Sequence, residues 1–152
     1  MTLEEILEDI REGASIRSLV WREPFGSLML HGKVETRTWD TKYRGYVLIC
    51  TAQRSCRVDE ILEVSGMPNF NRMVEKPLLL KNGYAIAIGK LVSTHKMQKE
   101  DEESTYVMYD ATNPRYCHVY KNVVPIDPFP FMGHQGWRIQ NAIEIINAIN
   151  KK

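Results

Sequence analysis

The run WREPFGSLMLHGKVETRTWDTKYRGYVLICTAQ, residues 21–53, decides how the rest of this chain is interpreted. It begins with a short apolar segment, ends with an apolar strand, and holds a dense polar and basic cluster between them. The cluster comprises Lys33, Glu35, Thr36, Arg37, Lys42 and Arg44, with Trp39 and Tyr43 among them. A core strand rarely holds so many charges, because each buried charge must be paired or hydrogen-bonded. Charges interleaved with aromatic rings favour a pocket for a ligand that is both anionic and flat, such as a nucleotide.

Length and composition describe an ordinary globular protein. The chain has 152 residues, 43% hydrophobic and 26% charged, which suits one domain with a real core. Its formal net charge is +1, so any attraction for nucleic acid must come from a local patch. No apolar run approaches the ~20 residues of a membrane span, and the acidic, amphipathic N-terminus is unlike a signal peptide. We therefore expect a cytoplasmic protein with no membrane segment, and favour a monomer.

The chain carries none of the common signatures of metal, cofactor or nucleophile chemistry. It lacks a P-loop and the GxGxxG, GxSxG and HExxH motifs. Its cysteines are Cys50, Cys56 and Cys117, and its histidines are His31, His95, His118 and His134. An odd cysteine count without CxxC argues against a disulfide framework and a zinc ribbon, and the histidines have no metal-ligand spacing. The sequence thus predicts free thiols, with Cys50 buried, and neither a metal site nor a cofactor.

Hydrophobic periodicity and turn signals predict an α+β protein. Helices are predicted over residues 2–12, 24–31, 58–66 and 141–151. Strands are predicted over residues 15–21, 34–39, 46–52, 83–97, 117–126 and 137–139. The charge run 98–104 and the Pro/Gly-rich segment 127–136 are predicted as loops, and residues 106–114 as a short helix or a loop.

Two local features of the predicted strands matter, one for the fold and one for the polar cluster. Gly89, inside a long strand, indicates a bulge or a close approach of another chain segment. In an ideal strand over 34–39, Lys33 and Thr36 face opposite sides. Both can line one pocket only if a turn or bulge precedes the strand.

Two blocks of the sequence resemble a known family. The first is PFGSLMLHGKVETRTW, residues 24–39, followed by KYRGYVLI, residues 42–49. The second is VYKNVVPIDPFPFMGHQGWR, residues 119–138, with a Pro-rich turn and a Gln-Gly-aromatic entry into a last strand. Both are similar to the ASCH domain of the PUA-like superfamily. The resemblance implies one domain over 1–152, a mixed PUA-like β-barrel with its core at about 15–139 and flanking terminal helices.

The resemblance also implies a function, because ASCH domains are generally regarded as RNA- or nucleic-acid-binding modules. We therefore expect a basic, aromatic-lined cleft that binds RNA or a nucleotide-like ligand. Guanidinium groups would contact phosphates, and an aromatic ring would stack on a base. The candidate ligand-binding residues are Lys33, Glu35, Arg37, Trp39, Lys42, Tyr43, Arg44, Gln53, Arg54, Gln135 and Trp137.

Three alternatives remain open from the sequence. Some small ASCH-like proteins hydrolyse N4-acetylcytidine with a Lys-x-x-Thr pair and a later glutamate, and Lys33 and Thr36 match that pair. Glu100, Glu102 and Glu103 lie where the glutamate is expected, and Glu100 is taken as the candidate. A lysine of lowered pKa can activate a hydroxyl or polarise an amide while a carboxylate moves the proton. Other members are ribonucleases. The third alternative is a protein-interaction domain whose charges only form a salt-bridged rim.

Overall fold

The computed structural model describes residues 1–54, 58–67, 70, 80–131, 138–139 and 142–150. The helices are α1 Leu3–Arg11, α2 Phe25–Leu28, α3 Val58–Ser65, α4 Glu102–Thr105 and α5 Ala142–Asn150. The strands are β1 Ile16–Trp21, β2 Glu35–Arg37, β3 Gly45–Thr51, β4 Tyr84–Lys96, β5 Tyr116–Pro130 and β6 Arg138–Ile139. Two 3-10 helices cover Met29–His31 and Lys99–Asp101.

The six strands form one mixed sheet in the order β2-β5-β4-β3-β1-β6. Strands β1 and β3 are parallel, and the other neighbours are antiparallel. The α+β class is confirmed, but the closed barrel is wrong, since the end strands β2 and β6 do not pair within the described part of the chain. In the described part of the chain, β2 has three residues and β6 has two, so each offers only a short edge for pairing.

The sheet nevertheless curls until its β2 end approaches β1. Strand β6 pairs only with Arg17 and Ser18, in the first half of β1. Beyond them, the backbone carbonyl of Val20 accepts a hydrogen bond from Arg37 Nη2 of β2, at 2.9 Å. A side chain thus bridges strands that no backbone ladder joins. This open seam between β1 and β2 is where the candidate site lies.

Helices α1 and α5 cover one face of the sheet. Thr2 accepts a hydrogen bond from the backbone N–H of Glu5, whose carboxylate accepts one from the backbone N–H of Thr2. This capping box confirms the predicted start of α1. The apolar residues of α1 and α5 pack with inward side chains of β3 and β4 in one core cluster. Its buried helical members are Ile6, Leu7, Ile10, Ile145, Ile146 and Ile149.

The strand β4 bulges at Gly89, as the sequence predicts. The pairing register with β5 shifts between Ile88 and Lys90, and a Cβ on Gly89 would lie 3.0 Å from a methyl group of Val123. Glycine is therefore the residue that allows β5 to pack this closely. Cys50 and Cys117 are free and buried, whereas Cys56 lies outside the described residues.

Two segments predicted as loops are regular structure. The charge run forms a 3-10 helix and α4, because the Asp101 carboxylate caps the turn by accepting a hydrogen bond from the backbone N–H of Gln98 at 2.8 Å. Strand β5 continues to Pro130, well beyond its predicted end. Among the described strands, β2 pairs only with residues 116–118 of β5. No described strand pairs with the later part of β5 on that side, and prolines are tolerated at such an edge.

Candidate functional site

Two adjoining cavities flank Thr36 and Arg37 in the seam between β1 and β2, and together we call them the seam cleft. The first has a volume of about 490 Å³ and the second of about 480 Å³. The first is lined by Trp21, Arg22, Phe25, Lys33, Glu35, Thr36, Arg37, Glu60, Glu63, Val64, Tyr106, Val107, Met108 and Arg115. The second is lined by Val20, Arg22, Thr36, Arg37, Thr38, Trp39, Ala52, Arg54 and Arg115.

A turn before β2 brings Lys33 to the first cavity. Gly32 ends the 3-10 helix with φ of +86°, a left-handed conformation that glycine adopts without strain. Lys33 therefore precedes the strand, and its side chain is not bound to the alternation that governs β2. Lys33 and Thr36 line the same cavity. The turn that the sequence requires for this arrangement is present.

Lys33, Glu35 and Arg37 form a buried ionic chain on the wall of the first cavity. Lys33 Nζ lies 3.0 Å from Glu35 Oε1, and Arg37 Nη2 lies 3.0 Å from Glu35 Oε2. Only 1% of the Lys33 side chain and 7% of the Glu35 side chain are exposed. Lys33 also donates to the backbone carbonyl of Val34 at 2.9 Å, and Thr36 N–H donates to Glu35. Each charge is thus paired and hydrogen-bonded, as burial requires.

Burial and neighbouring charges shift the pKa values of Lys33 and Glu35. Burial lowers the pKa of Lys33, an effect that the neighbouring Glu35 carboxylate partly offsets. Burial alone would raise the pKa of Glu35, but the positive charges of Lys33 and Arg37 outweigh it and lower the pKa. The site therefore holds an ionised carboxylate beside a lysine that gives up its proton more readily than usual.

Three buried polar atoms of residues around the first cavity have no hydrogen-bond partner. They are Trp21 Nε1, Arg37 Nε and the Tyr106 hydroxyl oxygen. Tyr106 is only 4% exposed and ends α4 in a left-handed conformation, with φ of +59°. Buried polar groups without partners are uncommon in folded proteins and carry a free-energy cost.

Arginines dominate the second cavity. Arg22, Arg37, Arg54 and Arg115 line it, and none of its described lining residues is acidic. Glu60 of α3 lies at its border, 3.3 Å from Arg22 and 3.7 Å from Arg54. Trp39 forms part of the wall, and its ring packs edge-on against His118 with ring centres 5.1 Å apart. The cavity therefore combines fixed positive charge with an aromatic surface.

Solved structures with the same architecture come from the ASCH protein of Zymomonas mobilis. A tyrosine-to-phenylalanine variant of that protein aligns with a TM-score of 0.57 at 9% identity, over 88% of this chain and 97% of that one. A serine-to-alanine variant gives 0.56 at 9%, over 88% and 94%. The unsubstituted protein gives 0.53 at 10%, over 88% and 93%.

This chain has an ASCH-like fold. No protein-family profile and no curated protein sequence matches the chain. At 9–10% identity the likeness concerns the fold alone. No helix among the described residues is long and apolar enough to cross a membrane.

Within the ASCH-like fold, the predicted ligand residues divide between the cleft and its surroundings. Lys33, Glu35, Arg37, Trp39 and Arg54 line the seam cleft. Lys42, Tyr43, Arg44 and Gln53 line neither cavity. Gln135 and Trp137 lie outside the described residues.

The residues that miss the cleft have other contacts. Tyr43 donates to the backbone carbonyl of Tyr46 at 2.7 Å, and Arg17 lies over its ring at 4.1 Å. Arg44 donates to the carbonyls of Thr41 and Tyr43. These contacts fix the loop before β3.

The glutamate candidates do not reach the first cavity. Glu100 is exposed on the 3-10 helix, and Glu102 accepts a hydrogen bond from the backbone N–H of Tyr109 at 2.7 Å. None of Glu100, Glu102 and Glu103 lines either cavity. The carboxylate that lies beside Lys33 is Glu35, only two residues away in the sequence. Sequence reasoning assigned Glu35 to ligand binding and missed its position as the lysine's partner.

Other cleft residues carry no sequence signal. Arg22, Tyr106 and Arg115 come from three segments that are distant in the chain. Tyr106 begins the stretch 106–114, which is predicted only as a short helix or a loop, and Arg115 directly follows it. Nothing in their local sequence indicates that the curl of the sheet brings them to β2.

Proposed function

We propose that this protein binds single-stranded RNA or a nucleotide in the seam cleft, with a base in the first cavity and phosphates beside the second. One observation carries the proposal: four arginines line the second cavity, next to a first cavity large enough to hold a base. The cleft as a whole is lined by five basic and three acidic side chains, on a protein whose net charge is only +1. Positive charge is therefore concentrated here.

The first cavity suits a base for reasons of size and chemistry. Its volume lies within the ~300–1,000 Å³ typical of small-ligand pockets. Phe25 provides aromatic surface, and the Thr36 hydroxyl and the Arg37 guanidinium group provide donors. A heterocycle with ring and carbonyl acceptors can bind such donors while its faces contact apolar surface.

The second cavity suits phosphates. Guanidinium groups bind phosphate oxygens in bidentate, charge-assisted contacts, and arginine keeps its charge at every physiological pH. Glu60 holds Arg22 and Arg54 at the border of the cavity, which reduces the entropy lost when they meet a ligand. Trp39 adds an aromatic surface on which a second base could stack.

The test is a titration of a fluorescent single-stranded RNA at several salt concentrations. We expect affinity to fall as salt rises, because bound phosphates release counterions. Arg115→Ala should weaken binding about tenfold and reduce the salt slope by about 0.7, one phosphate contact on a single strand. Lys121→Ala removes an exposed cation of β5 that lines neither cavity, and should leave binding unchanged. RNA binding that is undetectable, or equally weakened by both variants, would refute the proposal.

A second candidate, hydrolysis of an N4-acylated cytosine, is favoured by Lys33 and Thr36 sharing the first cavity. In this reaction water adds to the acyl carbon, the C–N bond breaks, and the amine leaves with the proton that the water gives up. Lys33, whose pKa burial lowers, and the Glu35 carboxylate can carry that proton between them. Thr36 can orient the attacking water or form a transient ester through its own hydroxyl.

The assay for this candidate is release of cytidine from N4-acetylcytidine by the purified protein. Thr36→Val removes the hydroxyl but keeps a β-branched side chain, so β2 should persist. Loss of turnover in Thr36→Val with an unchanged circular dichroism spectrum would support a catalytic role for the hydroxyl. Absence of turnover in the unsubstituted protein would dismiss this candidate and leave the binding proposal intact.

A further inference from the structure

Three potential metal ligands converge beside β2, where β4 pairs with β5. His95 of β4 pairs directly with Cys117 of β5, and Asp101 of the following 3-10 helix folds over them. The ligand atoms of all three side chains lie within 4.8 Å of one another. His95 Nε2 lies 3.2 Å from each Asp101 carboxylate oxygen, and the Cys117 sulfur lies within 4.8 Å of the His95 and Asp101 ligand atoms.

We propose that His95, Asp101 and Cys117 form a binding site for a divalent transition metal of the zinc class. Imidazole, carboxylate and thiolate are the three ligand types that bind Zn²⁺ in proteins. A three-residue set also leaves a fourth tetrahedral position for water. The proposal stands apart from the function of the seam cleft and does not depend on it.

The distances are close to those of a tetrahedral centre. With metal–ligand bonds of about 2.0–2.1 Å, imidazole nitrogen and carboxylate oxygen lie about 3.3 Å apart. The His95–Asp101 distance of 3.2 Å already matches this value. The Cys117 sulfur lies within 4.8 Å of both atoms, and it would move closer to form a zinc–sulfur bond of about 2.3 Å. An ion would occupy the space between His95, Asp101 and Cys117.

Burial differs among the three ligands in a way that suits metal entry. The Cys117 side chain is fully buried, Asp101 is 18% exposed and His95 is 46% exposed. An ion can therefore approach from the His95 side and meet the thiol below it. Sequence spacing does not reveal the site, because the ligands are six and sixteen residues apart and the pairing of β4 with β5 brings them together.

A metal here would fix the segment that forms one wall of the first cavity. Asp101 begins the turn into α4, which ends at Tyr106. The Ser104 carbonyl accepts a hydrogen bond from the backbone N–H of Val34 at 2.8 Å, and Cys117 pairs with Thr36. An ion at His95, Asp101 and Cys117 would thus tie α4 to the β4–β5 hairpin beside β2. We expect the metal to raise the melting temperature, because it binds the folded chain and ties these segments together.

The test is titration of tag-free, reduced protein with Co²⁺, followed by displacement with Zn²⁺. We expect saturation at one equivalent, visible bands of tetrahedral cobalt, a near-ultraviolet sulfur-to-cobalt band, and a higher melting temperature with Zn²⁺. Cys117→Ala should abolish the sulfur band, whereas Cys50→Ala, which removes a buried thiol from β3, should keep it. His95→Ala changes an exposed side chain, so the fold should survive while affinity falls at least tenfold.

Three outcomes would overturn the proposal. The first is the absence of saturable Co²⁺ binding. The second is a sulfur band that persists in folded Cys117→Ala. The third is unchanged affinity in His95→Ala, which would mean an adventitious ion at another histidine. If Cys117→Ala fails to fold, His95→Ala alone decides between binding at this site and binding elsewhere.

Discussion

The two ends of the polar run, Lys33–Arg37 and Lys42–Arg44, have similar compositions but differ in the burial of their cations. Each contains one lysine and one arginine within a few residues. In the first segment both cations are drawn inward and share the Glu35 carboxylate. In the second both are exposed, and Arg44 donates to backbone carbonyls of its own loop.

The difference comes from what precedes and what pairs with each segment. The Lys33–Arg37 segment follows a 3-10 helix and joins the sheet through β5, so its side chains face the seam. The Lys42–Arg44 segment belongs to an irregular loop before β3 and has no strand partner there. A cationic side chain becomes part of a buried site when strand pairing and an opposite charge hold it there. Neither condition can be inferred from sequence composition. Four predictions test this contrast.

The largest effect is expected on stability, from Glu35→Ala. Removing this carboxylate leaves Lys33 buried without its counter-ion, and breaking a buried pair costs about 3–5 kcal/mol. Urea denaturation at neutral pH measures the loss. Lys42→Ala, in the exposed segment, should change the free energy of unfolding by no more than about 0.5 kcal/mol. A Glu35→Ala cost below about 1 kcal/mol would mean that the pair is not buried as described.

The next largest effect is on RNA affinity, from Arg37→Ala. Arg37 lines both cavities, so its loss should weaken binding by about 1–3 kcal/mol, or roughly fivefold to 160-fold. Fluorescence titration at fixed salt measures it. Arg37→Lys keeps a cation beside Glu35 but loses the planar fork, and should bind with intermediate affinity. Equal affinity of Arg37→Ala and the unsubstituted protein would remove Arg37 from the site.

A third effect concerns the pH dependence of stability. The folded-state pKa of Glu35 is lowered, so its stabilising contribution is present above its ordinary value of 4.5 and is lost as pH falls through the folded pKa. One such group contributes a slope of at most about 1.4 kcal/mol per pH unit.

Comparison with Glu35→Gln isolates this contribution, because other carboxylates are common to both proteins. Below pH 4.5 the unfolding free energy of the unsubstituted protein should fall more steeply than that of the variant. Parallel curves would show that Lys33 and Arg37 do not lower the pKa of Glu35. Lys42→Gln, in the exposed segment, should leave the slope unchanged.

The fold was largely predictable from local patterns, because the elements carry clear signals. Several signals define an element within a few residues of themselves: the Thr2–Glu5 capping box, the apolar run of β3 and Gly32. The wrong predictions have different causes. Closure of the sheet depends on pairing between β2 and β6, which are distant in the chain. The 3-10 helix at Lys99–Asp101 has a local cause, the Asp101 cap on Gln98, in a run whose charges suggest only a solvated loop.

The site was predictable only where its residues are close in sequence. Lys33, Glu35, Thr36 and Arg37 were identified because they lie within five residues of one another and resemble a family motif. Tyr106 and Arg115 reach the same cleft through the curl of the sheet and the turn after α4. His95, Asp101 and Cys117 meet through the ladder between β4 and β5. Local sequence patterns do not predict contacts between residues that are so far apart in the chain.

The smallest effect is expected from Arg44→Ala, and it tests the contrast most directly. Arg44 belongs to the family-like motif, and its guanidinium group has the same capacity to bind RNA phosphates as that of Arg37. Its three hydrogen bonds, to Thr41, Tyr43 and the Thr94 hydroxyl, use that group to hold the loop, and it lines neither cavity. We therefore expect RNA affinity within about twofold of the unsubstituted protein, or about 0.4 kcal/mol. The same titration used for Arg37→Ala measures it. A loss as large as that of Arg37→Ala would extend the binding surface beyond the seam cleft, and position in the sequence would then predict function better than position in the sheet.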